Sequence, residues 1–493
     1  MLQQAIQWLA KNHLNGIAVP VTHRNRTPYP EVTGYYIPTL LSIGEMSLAE
    51  NFARWLVEQQ NADGSFSLDN PNISYVFDTG QVIRGWVSIL DRLPELAEPL
   101  QRACQWIIQG ADPVTGKFKR PAPNGDWSLG PRGEVNEGIH LYVIQPLRDA
   151  ARLLQNPSIQ IAADKALASY LQDPSLTQFK MTNALTHFYG YIQEALFETG
   201  CIEEAKRGMA SLEPFQQDNG AVPGYHDVQW VCSTGLAQLA KVWYFLGDVM
   251  RADRAMQFLQ QLQNASGGFY GSYGVDATYF PTEEISWAVK YAIEAEHLKI
   301  AAHFNQTAHH YAPEIPAQDG RAQTVLYTAG KPRRVLDAGC GKGRYAALIK
   351  QQHPDADVHA VDVSAEMLRH VPAGIQTQIA SIQALPYSDA HFDFVFCVEA
   401  LEHAPNPTAA IQEMTRVLAP GGRLLIIDKN SERLGRLQIE SWERWFDVKA
   451  LSKVMQACQL DVSAEFISYD NQAADGLFVA WLGAKKMMQT ELA

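Results

Sequence analysis

The sequence predicts two successive architectures: an all-α array of six helical hairpins over residues 1–300, then an α/β unit from about residue 331 to the C-terminus. Two observations predict the first. A helix end followed by a glycine-bearing, amide-rich loop recurs along the region, and between these loops apolar residues return every three or four positions with no strand-type alternation. One observation predicts the second: Arg334-Val-Leu-Asp-Ala-Gly-Cys-Gly-Lys-Gly-Arg344 reads as a strand, a tight turn and a helix start, and further strand-like runs follow it at intervals.

The helical repeats begin at Trp8, Trp55, Trp106, Tyr170, Ser211 and Phe258, at intervals of 41 to 64 residues, which suits two helices and a loop each. The clearest copies are Trp55-Leu-Val-Glu-Gln-Gln-Asn-Ala-Asp-Gly-Ser-Phe66 and Phe258-Leu-Gln-Gln-Leu-Gln-Asn-Ala-Ser-Gly-Gly-Phe269. In these loops Asn and Asp accept backbone amides and Gly takes the left-handed position at the helix end, so the repeats are read as turn-formers rather than catalysts. Six such hairpins, each burying its inner face, close naturally into a ring with a central cavity.

Composition narrows the function. The 493 residues exceed what one α/β domain needs, and 46% hydrophobic content supports two cores. A net charge of -13 disfavours a nucleic-acid partner. The six cysteines are scattered singly, against a disulfide framework or structural zinc, and no metal is expected. No membrane span or cleavable leader is read, so a cytoplasmic protein is expected; a homo-oligomer is left open.

In the glycine-rich turn, Gly339, Gly341 and Gly343 are spaced two apart, so the third glycine comes too early for the dinucleotide fingerprint. Asp362 ends the next strand-like run, Asp357-Val-His-Ala-Val-Asp-Val363, where a carboxylate can accept both hydroxyls of a ribose. An apolar strand from Phe392 to Val398 leads into Glu399, Glu402 and His403, and Val417-Leu-Ala-Pro-Gly-Gly-Arg-Leu-Leu-Ile-Ile-Asp428 supplies a further turn and buried strand.

With these four ordered motifs, the chain from about Ala308 onward resembles class I S-adenosylmethionine-dependent methyltransferases, especially the subgroup that includes quinone-biosynthesis methyltransferases. The resemblance implies a Rossmann-like seven-stranded fold, closed by a hairpin from Phe466–Asn471 and Leu477–Leu482, and S-adenosyl-L-methionine as cofactor. It places Asp337, Gly339 and Gly341 along the methionine and ribose, Asp362 on the ribose hydroxyls and Val363 on adenine. Family members usually carry an acidic residue near Ser381; its absence leaves adenine to the Ser381 hydroxyl and the Ile382 amide. His403 is the nearest general base for a hydroxyl acceptor, with an ionisation near ~6.5; a structural role beside Pro405-Asn406-Pro407 is the alternative. Residues 301–330 read as a linker and N-terminal helix over the cofactor, with His303, His309, His310 and Tyr311 as candidates to face the site.

The helical part resembles (α/α)6 toroid domains, among them polysaccharide lyases, uronyl epimerase-like domains and terpene cyclases, a likeness informative for fold and poor for chemistry. Neither an Asp-x-Asp-Asp cluster for terpene cyclisation nor a zinc site for prenyl transfer is present. Aromatic and carboxylate residues suggest a sugar cleft, with Tyr75, Asp78, Trp86, Glu134, His140, His187, Trp230 and Glu283 as substrate candidates. The leading expectation is O-methylation of a saccharide or polysaccharide precursor held by the toroid. The alternatives are a bifunctional chain with an epimerase or lyase, and a small-molecule methyltransferase acting on a quinone or isoprenoid.

Overall fold

The computed structural model describes residues 1–68, 73–118, 132–133, 136–435, 437, 440, 442–468 and 473–487. The chain divides into two compact units: Met1–Leu40 with Met46–Lys299, and Leu41–Glu45 with Ile300–Ala493.

The first unit is helical. Helices buried on every face alternate in sequence with helices buried along one stripe. In Ser233–Leu246 every residue from Ser233 to Tyr244 is buried, whereas Val249–Leu262 buries only Val249, Ala252, Ala255, Met256 and Leu259. Thr186–Glu198 and Ile202–Leu212 repeat the contrast. The three-and-four spacing of the second kind marks a helix with one face to water, and the first kind has no such face.

The predicted loops turn out to be the mortar between the one-face helices. The Gln60 amide donates to Gly64 O at 3.0 Å and to Pro99 O at 2.9 Å, so the loop after Met46–Gln59 sits on the start of Ala97–Gln109. Gln216 does the same to Arg251 O at 3.0 Å, and Gln263 donates to Gly267 O and to Met1 O. The last of these joins the loop after Val249–Leu262 to the start of Leu2–Asn12, so the final loop docks on the first helix. Trp8 Nε1 donates to Glu284 at 2.6 Å, and Tyr36 OH to Ser286 O at 2.6 Å.

The second unit is built on a seven-stranded mixed sheet. Its strands are β1 (Arg334–Ala338), β2 (Asp357–Asp362), β3 (Gln376–Ile379), β4 (Phe392–Val398), β5 (Leu418–Lys429), β6 (Leu460–Ile467) and β7 (Phe478–Lys485). They lie in the order β3-β2-β1-β4-β5-β7-β6; β7 alone runs antiparallel to its neighbours β5 and β6. Both faces are covered, by one core around Val335, Val358, Phe394 and Leu425 and another around Leu336, Val361, Val395 and Leu424. That is why Phe394–Val398 and Leu424–Ile427, in the middle of the sheet, read as unbroken apolar runs. The order reverses between β1 and β4, and a crevice at the carboxyl ends of strands on either side of such a switch is where open α/β sheets bind ligands. No helix among the described residues is long and apolar enough to cross a membrane.

Candidate functional site

The switch point carries the glycine-rich turn. β1 ends at Ala338, and Gly339, Gly341 and Gly343 follow with φ of 82°, 52° and 71°. Gly343 caps the helix Arg344–Gln352. A methyl on Gly339 would run into the Ala400 side chain, while one on Gly341 would meet nothing within 4 Å. That open space above backbone is a cradle that a Cβ would fill.

Asp362, at the end of β2, holds the turn in place. Its carboxylate accepts from Gly341 N at 2.8 Å and Ser364 N at 2.9 Å, which leaves lone pairs directed at the cradle's edge for a diol. Val363 beside it is 39% exposed, an apolar surface of the kind a purine covers. Asp337 is buried, and one carboxylate oxygen has no hydrogen-bond partner. Burial and the nearby Asp362 push its carboxyl up to about 8. Ser381 Oγ accepts from Gln383 N at 3.2 Å, so the hydroxyl also shapes its own turn, and Ile382 is buried against the turn with its side chain near Gly339. The donor set, open cradle and exposed apolar step fit an adenosine-bearing cofactor.

Beyond β4 the chain enters a dense ionic cluster. Glu399 holds φ of 51°, a left-handed conformation that costs a non-glycine residue about 1–2 kcal/mol. Its carboxylate accepts from Arg321, which also engages Asp319 at 3.0 Å, and lies 3.6 Å from Lys429. Lys429 donates to Glu402, whose amide donates to Asp428 at 3.1 Å. Glu399, Glu402, Asp428 and Glu443 gather around Lys429, and burial together with the field of Glu402 pushes the Asp428 carboxyl well above its ordinary range. Burial raises Glu402 to about 7 despite Lys429.

His403 stands at the rim, Nε2 3.5 Å from Glu402, with the Phe304 ring edge-on at 4.9 Å. The expected ionisation near ~6.5 needs correction. Burial, together with the positive fields of Lys429 and His303, pushes the imidazole down to about 3, so it stays neutral. Glu402, His403 and Glu443 bring three potential ligand atoms within 4.8 Å of one another, a grouping that sequence reading missed; Lys429 already places a cation on Glu402.

The segment after Ile300 is fastened to both sides of this site. Asn305 Oδ1 accepts from Ser364 Oγ at 2.8 Å, next to Asp362, and Lys342 of the glycine turn donates to Tyr311 O at 2.7 Å. His303 meets the Trp442 ring at 5.0 Å. His309 and His310 are exposed, and their rings meet at 3.9 Å with their planes tilted by 54°.

The substrate candidates of the helical unit scatter. His187 lines a cavity of about 450 Å³, with Tyr29, Glu31, Tyr191, Tyr279 and Trp287. Asp78 lies near enough to act on Tyr29, and Tyr75 caps the helix Val76–Val87. Trp86 is fully buried with Nε1 donating to Ala53 O at 3.0 Å, which leaves it no face for a substrate. Trp230 packs on Tyr225, His140 is buried, and Glu283 accepts from Thr22. Glu134 lies outside the described residues. Glu31, Tyr29 and Tyr279 were missed; a single carboxylate on a helix buried all round gives no periodic signal.

Residues 336–426 match the family described as methyltransferase domain. The chain is 26% identical over 188 residues to a malonyl-[acyl-carrier protein] O-methyltransferase of Hahella chejuensis, covering 37% of this chain and 67% of that protein. It is 35% identical over 115 residues to a demethylmenaquinone methyltransferase of Deinococcus radiodurans, covering 22% and 48%. A solved 1,6-didemethyltoxoflavin-N1-methyltransferase of Burkholderia thailandensis aligns at 21% identity and a TM-score of 0.32 over 39% of this chain and 89% of that one. The chain thus spans between about a third and two thirds of the length of such curated relatives. The α/β unit carries a methyltransferase domain, and S-adenosylmethionine is its cofactor.

Proposed function

We propose that the chain methylates an oxygen of a small organic acceptor bound beside His403. One observation carries the reading: an open backbone cradle at Gly341, the Asp362 carboxyl that accepts its amide, and a neutral buried imidazole at His403 all belong to the carboxyl edge of one sheet. Asp337, Gly339 and Gly341 hold the amino-acid and ribose portions of the cofactor. Asp362 accepts the ribose hydroxyls, while Val363, Ser381 and Ile382 surround adenine. The cofactor supplies an electrophilic methyl group. The protein's part is to align the acceptor, keep water out with Phe304 and Trp442, and receive a proton on His403. Glu402, 3.5 Å from His403, then stabilises the imidazolium.

Titrating S-adenosylhomocysteine calorimetrically into wild type and Asp362→Ala tests the cofactor site. The variant is expected to bind more weakly by about 1–3 kcal/mol; equal affinity removes Asp362 from the site. For the acceptor step, His403→Ala is expected to lower turnover ~10²–10⁴-fold with cofactor affinity unchanged. The wild-type rate should rise with pH through about 7, because Glu402 and not His403 ionises there. A variant that turns over normally makes the imidazole structural.

For the helical unit we propose an (α/α)6 toroid. Alternating burial supports it, as does the loop contact from Gln263 to Met1, which repeats between Val249–Leu262 and Leu2–Asn12 the joint made elsewhere between successive one-face helices. A saccharide acceptor held by this unit is the second reading, favoured by His187 among aromatic rings. The mostly apolar lining of that cavity weighs toward a compact small molecule.

A further inference from the structure

The helical unit contains a cavity built from none of the residues assigned above to the cofactor or to His403. The rings of Tyr29, Trp287, Phe280, Tyr279, His187 and Tyr191 follow one another around its cavity. Tyr29 meets Trp287 at 6.3 Å, Trp287 meets Phe280 at 5.6 Å, and Phe280 meets Tyr279 at 5.0 Å. Tyr279 meets His187 at 6.1 Å, and His187 meets Tyr191 at 4.5 Å. Most of these contacts are edge-on or tilted. The hydroxyl and ring nitrogen of this belt are used internally: Trp287 Nε1 donates to Tyr279 OH at 3.0 Å, and His187 Nδ1 pairs with Gln238 at 2.6 Å. Aromatic surface therefore dominates what is left for a ligand.

Charge inside this belt is one-sided. Glu31 lines the cavity, and Asp78 acts on Tyr29 beside it. Among the described residues the cation acting on Glu31 is Lys290, whose ammonium is already bonded to Glu294 at 2.9 Å and lies over the Tyr291 ring at 3.8 Å. Lys241 behind it is shared between Glu194 and Glu294. The phenols of Tyr29, Tyr35, Tyr191 and Tyr279 are held un-ionised by burial, and His187 is pushed down to about 3 and carries no charge. A cavity with negative ring faces and a carboxylate not matched by a cation of its own attracts positive charge.

We propose that this cavity binds an organic monocation, an alkylated or quaternary amine on a compact apolar body, with Glu31 as counter-ion and the aromatic belt as its cage. The volume of about 450 Å³ is that of a small-molecule site. Burial holds the Glu31 carboxyl up at about 7, against the hydrogen bond from Tyr29 and the field of Lys290. A bound cation favours its ionised form, so affinity rises with pH up to that value and levels off above it, and binding below it releases a proton.

The test is calorimetric titration of the full chain with phenyltrimethylammonium and with tert-butylbenzene, its uncharged isostere. The cation is expected to bind at least tenfold more tightly at pH 8, and its affinity should fall as pH is lowered to 5.5. Glu31→Gln should bring the two ligands to equal affinity and abolish the pH dependence. Should that variant not fold, the wild-type pH dependence and Trp287→Leu, expected to weaken the cation alone, decide the matter. The proposal is overturned if tert-butylbenzene binds as well as the cation, if neither binds, or if Asp362→Ala removes cation binding, which would place the ligand in the cofactor cradle.

Discussion

Both units end loops on glycines with positive φ, and what surrounds those glycines differs from one position to the next. In the helical unit, a methyl at Gly220 would land on the Arg254 carbonyl, one at Gly267 on the Gln4 carbonyl, and one at Gly64 would come within 2.6 Å of Arg102 O. Protein fills the space, and glycine is there so that the next helix can approach. In the α/β unit Gly341 has nothing within 4 Å. Gly200 and Gly247 of the helical unit also have nothing within 4 Å and follow helices, so what distinguishes Gly341 is its amide, which donates to Asp362 at 2.8 Å. The units differ likewise in buried charge. The helical unit pairs Arg84 with Glu198 at 2.8 Å and Lys241 with two glutamates, yet leaves Glu31 to a shared lysine; the α/β unit crowds four carboxyls around Lys429 and Arg321.

The strongest way to break the comparison is Gly220→Ala. Its strained φ of 93° and the collision with Arg254 should together destabilise the helical unit by about 3–5 kcal/mol in urea unfolding, with cofactor affinity of the surviving folded protein unchanged. A loss below ~1 kcal/mol would mean that the loops are not packed as described. The buried acid gives the next largest effect. The folded Glu31 carboxyl, at about 7 against an ordinary 4.5, binds its proton more tightly than the unfolded chain does, so the native state holds more protons between those values. Its contribution is therefore complete below pH 4.5 and lost as pH rises through about 7, by about 3 kcal/mol. Glu31→Gln should flatten that decline in melting curves taken from pH 4.5 to 8; curves that stay parallel would put Glu31 in contact with water. Gly341→Ala is the mildest for the fold, about 1–2 kcal/mol for its φ of 52°, but should lower S-adenosylhomocysteine affinity about tenfold or more. Unchanged affinity would mean that the void serves no ligand.

The α/β unit was legible where its elements lie in contiguous backbone. β1, the three-glycine turn and the strand ending at Asp362 are read in order because an apolar run, closely spaced glycines and a second apolar run follow one another within thirty residues. Arg321, Lys429 and Glu443 were not legible, since they come from a helix start, a strand end and a distant loop, and meet only when the sheet forms. In the helical unit the repeats revealed the joints but not the cavity. Trp86 and Trp230 stood out by type, yet the helix carrying Trp86 is buried on all sides, and side-chain spacing cannot say which buried face looks inward. Glu31 and Tyr279 are ordinary residues in sequence that become a charge and a ring only in company.

The joint between Gln263 and Met1 has a consequence for how the chain is made. The helix Leu2–Asn12 leaves the ribosome some 260 residues before the loop that covers its start, which ends at Gly267 and Gly268. At ~5–20 residues per second, that is a wait on the order of ten seconds or more. During it Trp8 has no Glu284 to bond, and its apolar stripe of Leu2, Ala5 and Leu9 has no final neighbour. A helix made early is thus housed late, and until then its apolar stripe stays open on the nascent chain.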